Sequence, residues 1–212
     1  MKHAIFGFLV LAAVTTASTA SAAVFTFDTD PFASSDALTT PGRQIVGGDP
    51  SISFSIATDV FAFDPSVFGV QNQVLFANAL AADLPTGGVN IIMLQDTDSD
   101  SDLNTPFGAG NAANLIADEI TMQGPGFFVY FNQGLNLPRL VYSTDLSDNT
   151  ADLKILARMT NLSGQSDALP TFTAANFAMI VDSSPVAEPA TLALLGIALA
   201  GLGFSRRKHA VN

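Results

Sequence analysis

Ser51-Ile52-Ser53-Phe54-Ser55-Ile56 alternates a small polar residue with a large apolar one, three times without a break. Successive side chains of a strand point to opposite faces, so this spacing sets Ile52, Phe54 and Ile56 against the three serines. A helix would scatter the same residues around its circumference. The stretch reads as a strand with one face buried. Residues 153–160 repeat the pattern, with Leu153, Ile155, Ala157 and Met159 inward and Lys154 and Arg158 outward.

Working outward from these two, further strands are expected over residues 24–27, 74–76, 89–94, 127–131, 140–144 and 177–181. Turn-forming sequences separate them: Pro41-Gly42, Gly47-Gly48-Asp49-Pro50, Asp64-Pro65, Pro85-Thr86-Gly87-Gly88 and Gly124-Pro125-Gly126. Glycine adopts left-handed backbone at little cost and proline presets φ, so such clusters end regular structure. Phe127-Phe128-Val129-Tyr130-Phe131 is apolar on both faces, which suits a central strand between packed layers. In residues 111–120, Leu115, Ile116 and Ile120 cluster at helical spacing, the pattern of one short helix. Short strands with this punctuation predict an all-β fold, a single β-sandwich or jelly-roll-like domain.

Composition narrows the chemistry. The chain has 212 residues, no Cys and no Trp, and both histidines, His3 and His209, lie at its ends. A body without His or Cys cannot build Ser-His-Asp or Cys-His machinery, nor the imidazole ligands of most catalytic zinc sites. Without disulfides its core holds by burial alone. Between residues 23 and 184 stand four basic residues (Arg43, Arg139, Lys154, Arg158) against 18 acidic ones, a net charge of −14. That field repels phosphate backbones and anionic lipid, so a nucleic-acid partner is not expected.

The two ends are of another kind. Lys2 and His3, an apolar stretch over residues 4–14 and the small-residue site Ala20-Ser21-Ala22 follow the order of a secretory signal peptide, cleaved near Ala22 or Ala23. At the other end, residues 190–204 form an uncharged run, closed by Arg206, Arg207 and Lys208. Fifteen residues make about 22 Å of helix, short for a hydrocarbon core about 30 Å thick. The basic cluster would stay cytoplasmic and leave the body of the protein outside. The chain thus divides into a signal peptide over 1–22, an exported β-rich domain over 23–184 and a C-terminal signal over 185–212, with a short transmembrane helix and a basic tail.

The C-terminal stretch Val186-Ala187-Glu188-Pro189-Ala190-Thr191-Leu192, the run to Gly201-Leu202-Gly203-Phe204 and the Arg-Arg-Lys end resemble the PEP-CTERM sorting domain. Its motif is matched at Val186, Glu188 and Pro189, whereas Ala187 stands where the family has its first Pro. The resemblance implies processing by an exosortase, a membrane-embedded enzyme with a cysteine nucleophile. It also implies export to the envelope, surface or matrix of a Gram-negative bacterium that makes exopolysaccharide. It covers only about the last 25 residues, and it specifies an address rather than an activity.

One constellation has ion-binding chemistry. Asp96, Asp98, Asp100 and Asp102 alternate with hydroxyl residues just past a predicted strand. Calcium takes six to eight oxygen ligands, and closely spaced carboxylates supply several in one loop. Counted from Asp96 the loop has Ser101 in place of the EF-hand glycine and Phe107 in place of its closing Glu, so an EF-hand is not expected. A second acidic group, Asp145, Asp148, Asn149 and Asp152, has the composition of a turn. Tyr130 and Tyr142 offer either a stacking surface for sugar rings or ordinary sheet residues. Asn161-Leu162-Ser163 fits a glycosylation sequon and is assigned no role. The expectation is a non-catalytic surface or exopolysaccharide-associated protein, with no cofactor and calcium as the one candidate ion. A calcium-dependent carbohydrate-binding module and a carboxylate-based polysaccharide hydrolase or lyase are the alternatives.

Overall fold

The computed structural model describes residues 21–48, 50–102 and 104–180. Ten strands and two α-helices occur among them: β1 Val24–Phe27, β2 Ile45–Val46, β3 Ser51–Ile52, β4 Val60–Phe63, α1 Pro65–Phe68, β5 Phe76–Ala79, β6 Ile91–Leu94, α2 Ala109–Glu119, β7 Gly126–Asn132, β8 Leu137–Ser143, β9 Leu153–Met159 and β10 Phe177–Met179. The β-rich expectation holds. The strands form a three-stranded sheet, β1-β4-β10, and a seven-stranded sheet, β2-β9-β8-β7-β6-β5, in which β3 also pairs with β9.

The pairing is mixed. β7, β8 and β9 make an antiparallel meander, whereas β5, β6 and β7 run parallel, as do β2 and β3 beside β9 and all three strands of the small sheet. Jelly rolls are antiparallel, so this topology departs from that part of the expectation. Parallel neighbours need a long crossover between them. Here α2 lies in the segment linking β6 to β7.

Two apolar clusters lie on opposite faces of the large sheet. Phe127, Val129 and Phe131 of β7 and Ile91 and Met93 of β6 join Phe61 and Phe63 of the small sheet. Their neighbours in sequence, Phe128, Tyr130, Ile92 and Leu94, pack with Ala109, Ala112, Ala113 and Ile116 of α2. The period-two rule thus sorts one run of residues into two cores, and all seven residues of β7 are buried. The first cluster is phenylalanine-rich: Phe63 stacks on Phe127 with ring centroids 3.8 Å apart, and Phe54 on Phe61 at 4.2 Å.

β9 corrects the sequence reading. Leu153 and Ile155 belong to the helix-side cluster, but Ala157 and Met159 belong to the cluster between the sheets. The register explains the switch: Val141 faces Ile155 and the adjacent Leu140 faces Ala157, leaving Leu156 as an extra residue. A bulge of one residue reverses the facing of everything beyond it.

The stretch at residues 51–56 keeps its alternation, with Phe54 wholly buried, Ile52 and Ile56 half-buried and the serines exposed. Its ladder is only Ser51–Ile52. Beyond that the Asn161 side chain replaces a strand: Phe54 N–H donates to Asn161 Oδ1 at 2.8 Å, and Asn161 Nδ2 donates to Phe54 C=O at 3.0 Å. Asn90 does the same between Leu75 N–H and Gln73 C=O, at 2.9 and 2.8 Å. Asn176 Nδ2 donates to the carbonyls of Ile56 and Asp59. In a chain without disulfides, primary amides tie the irregular segments down, since buried backbone groups require partners.

Candidate functional site

The loop after β6 carries the four alternating acids, and its geometry is that of successive local turns. Asp98 Oδ1 accepts from the N–H of Asp100 at 3.1 Å, Asp100 Oδ1 from the N–H of Asp102 at 2.9 Å, and Asp102 Oδ1 from the N–H of Asn104 at 2.9 Å. Each carboxylate bonds the backbone two residues on, the arrangement for which Asp is favoured in turns. Asp96 points elsewhere, its Oδ2 accepting from the Ala81 N–H at 2.7 Å. The Asp100 N–H holds the Asp98 carboxyl below the usual Asp range, and the N–H and side-chain amide of Asn104 do the same for Asp102. Among the described residues no group of three or more His, Cys, Asp or Glu side chains is placed to hold a metal ion.

The second acidic group is divided among separate tasks. Asp152 clamps the segment before β2, with Leu38 N–H donating to Oδ2 at 2.7 Å and Gln44 N–H to Oδ1 at 2.6 Å. Asp148 caps its own turn through the N–H and hydroxyl of Thr150, which lower its carboxyl, with a smaller contribution from the Arg43 charge. Asp145 Oδ1 accepts from the N–H groups of Gly124 and Ser147. Arg43 ties these pieces to α2, its Nε donating to Ala151 C=O at 3.1 Å and its Nη1 to Gly110 C=O at 2.9 Å and Asn114 Oδ1 at 2.8 Å. Burial lowers the affinity of that guanidinium for its proton, and the charges of Asp148 and Asp152 partly offset this. Asp118, Asp145 and Asp148 line a shallow depression beside α2.

Neither tyrosine offers a face to a sugar. Tyr130 is 0% exposed and Tyr142 6%. Asn132 Nδ2 donates to the Tyr130 hydroxyl at 2.9 Å, and the Tyr142 hydroxyl donates to Phe68 C=O at 2.8 Å. Burial, with a smaller contribution from Asp30, pushes the Tyr142 hydroxyl up to about 12. Both rings belong to the cores.

Three structural polar residues went unmarked in the sequence. Asn161 stands out in the sequence only as part of a sequon, and Asn90 and Asp59 lie in no motif. Asp59 is 5% exposed. Its Oδ1 accepts from Ala23 N–H at 2.9 Å and from the Thr58 hydroxyl at 3.0 Å, and its Oδ2 from Ser55 N–H at 2.9 Å. Burial acts to raise this carboxyl, but the hydrogen bonds together outweigh it and hold it below its ordinary value. The signal that could have found Asp59 is weak: an acid directly before the apolar run Val60-Phe61-Ala62-Phe63.

The strongest functional signal lies past the described residues. Residues 185–208 match the PEP-CTERM protein-sorting motif. The chain carries a PEP-CTERM sorting signal. Val186, Glu188 and Pro189, the basic tail Arg206, Arg207 and Lys208, and the expected C-terminal transmembrane helix all fall within or beside that match, outside the described residues. Most of the expected signal peptide, residues 1–20, lies outside them too. A PEP-CTERM signal is that of an exported bacterial protein of the cell envelope or surface, processed by an exosortase. No curated protein and no solved structure matches the chain. Among the described residues no helix is long and apolar enough to cross a membrane.

Proposed function

We propose that this chain is a non-catalytic structural protein of the cell surface or extracellular matrix of a Gram-negative bacterium, associated there with exopolysaccharide. An exosortase is its processing partner, and the C-terminal apolar segment holds it at the membrane until the tail is removed. The observation that carries this reading is the sorting motif at residues 185–208, close behind β10. The body is consistent with it. Where the structure shifts a carboxyl (Asp59, Asp64, Asp98, Asp102 and Asp148), the shift is downward. A polysaccharide hydrolase needs a carboxyl pushed upward to serve as general acid. Each of the Asp96, Asp98, Asp100 and Asp102 carboxylates places one oxygen on a backbone N–H, so a calcium-dependent module would need their other oxygens to turn to a shared ion.

The test is expression of the full chain in a host with its exosortase and in an isogenic host without it. The expected result is loss of the C-terminal segment only in the first host, with the processed protein in the surface-polysaccharide fraction and released from it by a polysaccharide lyase. Processed protein found free in the medium, and unaffected by the lyase, would overturn the matrix role while leaving the sorting signal standing.

A further inference from the structure

The Asp59 carboxylate is almost wholly buried, and among the described residues its hydrogen-bond donors are all neutral: Ala23 N–H, Ser55 N–H and the Thr58 hydroxyl. A buried charge is costly unless it is paired or fully hydrogen-bonded. Two of these donors come from within four residues of Asp59. Ala23 comes from 36 residues away, at the head of β1. Its carbonyl accepts from Val60 N–H at 3.0 Å, and Val24 then pairs with Val60 in the parallel ladder. Ala23 is thus held on both sides against Asp59 and Val60, whereas Ser21 and Ala22 before it are exposed. Ala20 and Ala22 are the small residues of the A-x-A site.

We infer that signal peptidase cuts between Ala22 and Ala23, and that the new α-ammonium group of Ala23 becomes the counter-charge of the buried Asp59 carboxylate. In the cut, water adds to the Ala22 carbonyl carbon and the Ala22–Ala23 C–N bond breaks. Ala22 leaves as a carboxylate and the Ala23 nitrogen takes up a proton to become –NH3+. The nitrogen that donates to Asp59 Oδ1 at 2.9 Å as a neutral amide then donates as a cation, with no movement of the strand required. The bond to the carboxylate is already charge-assisted through its acceptor, and a cationic donor adds the direct attraction of opposite charges in a site away from water. Export processing therefore tightens the fold: the precursor closes β1 on β4 with a neutral N–H donor on the Asp59 carboxylate, and the mature chain locks it with an ion pair. This inference concerns the opposite end of the chain from the exosortase reading and stands or falls independently of it.

The full chain is produced in an exporting host, and the N-terminus of the purified protein is read by mass spectrometry and stepwise degradation. Ala23 is the expected first residue, and any other start overturns the inference. The midpoint of thermal unfolding is then compared for the mature protein, for a variant with one Gly inserted between Ala22 and Ala23, and for mature protein acetylated at its α-amine under conditions that spare Lys154. The insertion returns Ala23 to a neutral amide, and acetylation removes the charge in place. Each is expected to lower the midpoint by about 4 °C or more. Asp59→Asn is expected to lower it too and to abolish the effect of the insertion. Equal midpoints for mature, inserted and acetylated protein would overturn the pairing. Should Asp59→Asn fail to fold, the insertion and acetylation comparisons decide alone.

Discussion

Asn161→Ala tests whether one side-chain amide stands in for a missing strand. The amide makes two hydrogen bonds to the backbone of Phe54, at 2.8 and 3.0 Å, and Phe54 is 0% exposed with its ring stacked on Phe61. Each bond contributes about 1 kcal/mol net, and a group left unsatisfied away from water adds to the loss. The expected cost is about 2–3 kcal/mol, the lower figure applying if water reaches the vacated edge. For a domain of 150–250 residues each kcal/mol moves the midpoint by about 2–4 °C, so a fall of about 4–12 °C is expected by calorimetry or circular dichroism. Two controls make the result specific. Ser163→Ala also destroys the sequon but keeps the amide, and its exposed hydroxyl bond to Asn136 C=O should cost no more than about 0.5 kcal/mol. Asn161→Asp keeps the acceptor for Phe54 N–H but turns a carboxylate toward Phe54 C=O. It should therefore destabilise at neutral pH and recover in part once acid protonates it into a donor. If Asn161→Ala shifts the midpoint no more than Ser163→Ala does, the amide is not holding Phe54 and the reasoning fails.

Gly126→Ala should destabilise by about 1–3 kcal/mol, because an added Cβ would sit 2.5 Å from Leu146 Cδ1 and 2.8 Å from the backbone oxygen of Asn90. Urea unfolding checks this, and an unchanged midpoint would mean that this junction of β6 and β7 is looser than drawn. Asp59, its folded carboxyl below the ordinary value, contributes stability that is fully present above the unfolded Asp pKa of about 3.9 and is lost as pH falls through the folded value. The midpoint of the wild-type protein should therefore fall more steeply below about pH 4 than that of Asp59→Asn, and parallel acid limbs would count against it. In the loop after β6, Asp100→Asn should be neutral within about 0.5 kcal/mol, since Asn makes the same turn, and millimolar calcium after EDTA should leave the midpoint unchanged. A calcium-dependent rise of several degrees, abolished by Asp98→Asn with Asp100→Asn, would instead reinstate an ion site there.

Local pattern and composition determined a good deal. The alternation at residues 51–56, the doubly apolar Phe127-Phe128-Val129-Tyr130-Phe131 and the helical spacing around Ile116 each identify an element from its own residues, because side-chain direction repeats every 2 or 3.6 positions whatever the surroundings. The C-terminal address was legible for a similar reason: a sorting signal is read as a linear peptide, so its information lies entirely in residue order. Strands with weak local patterns were missed. Ile45–Val46 is too short to show a period, and Val60–Phe63 is apolar throughout, so no alternation marks it as a strand. Only the tertiary structure decided which core each residue joins, since the bulge at Leu156 depends on the partner strand and not on β9 itself. It alone turned Asp96 away from its neighbours to the Ala81 N–H, took both tyrosines into the interior and set Asp59 against Ala23 across 36 residues. Those outcomes rest on which distant groups meet and on whether water is excluded when they do, and neither is written in any local stretch of chain.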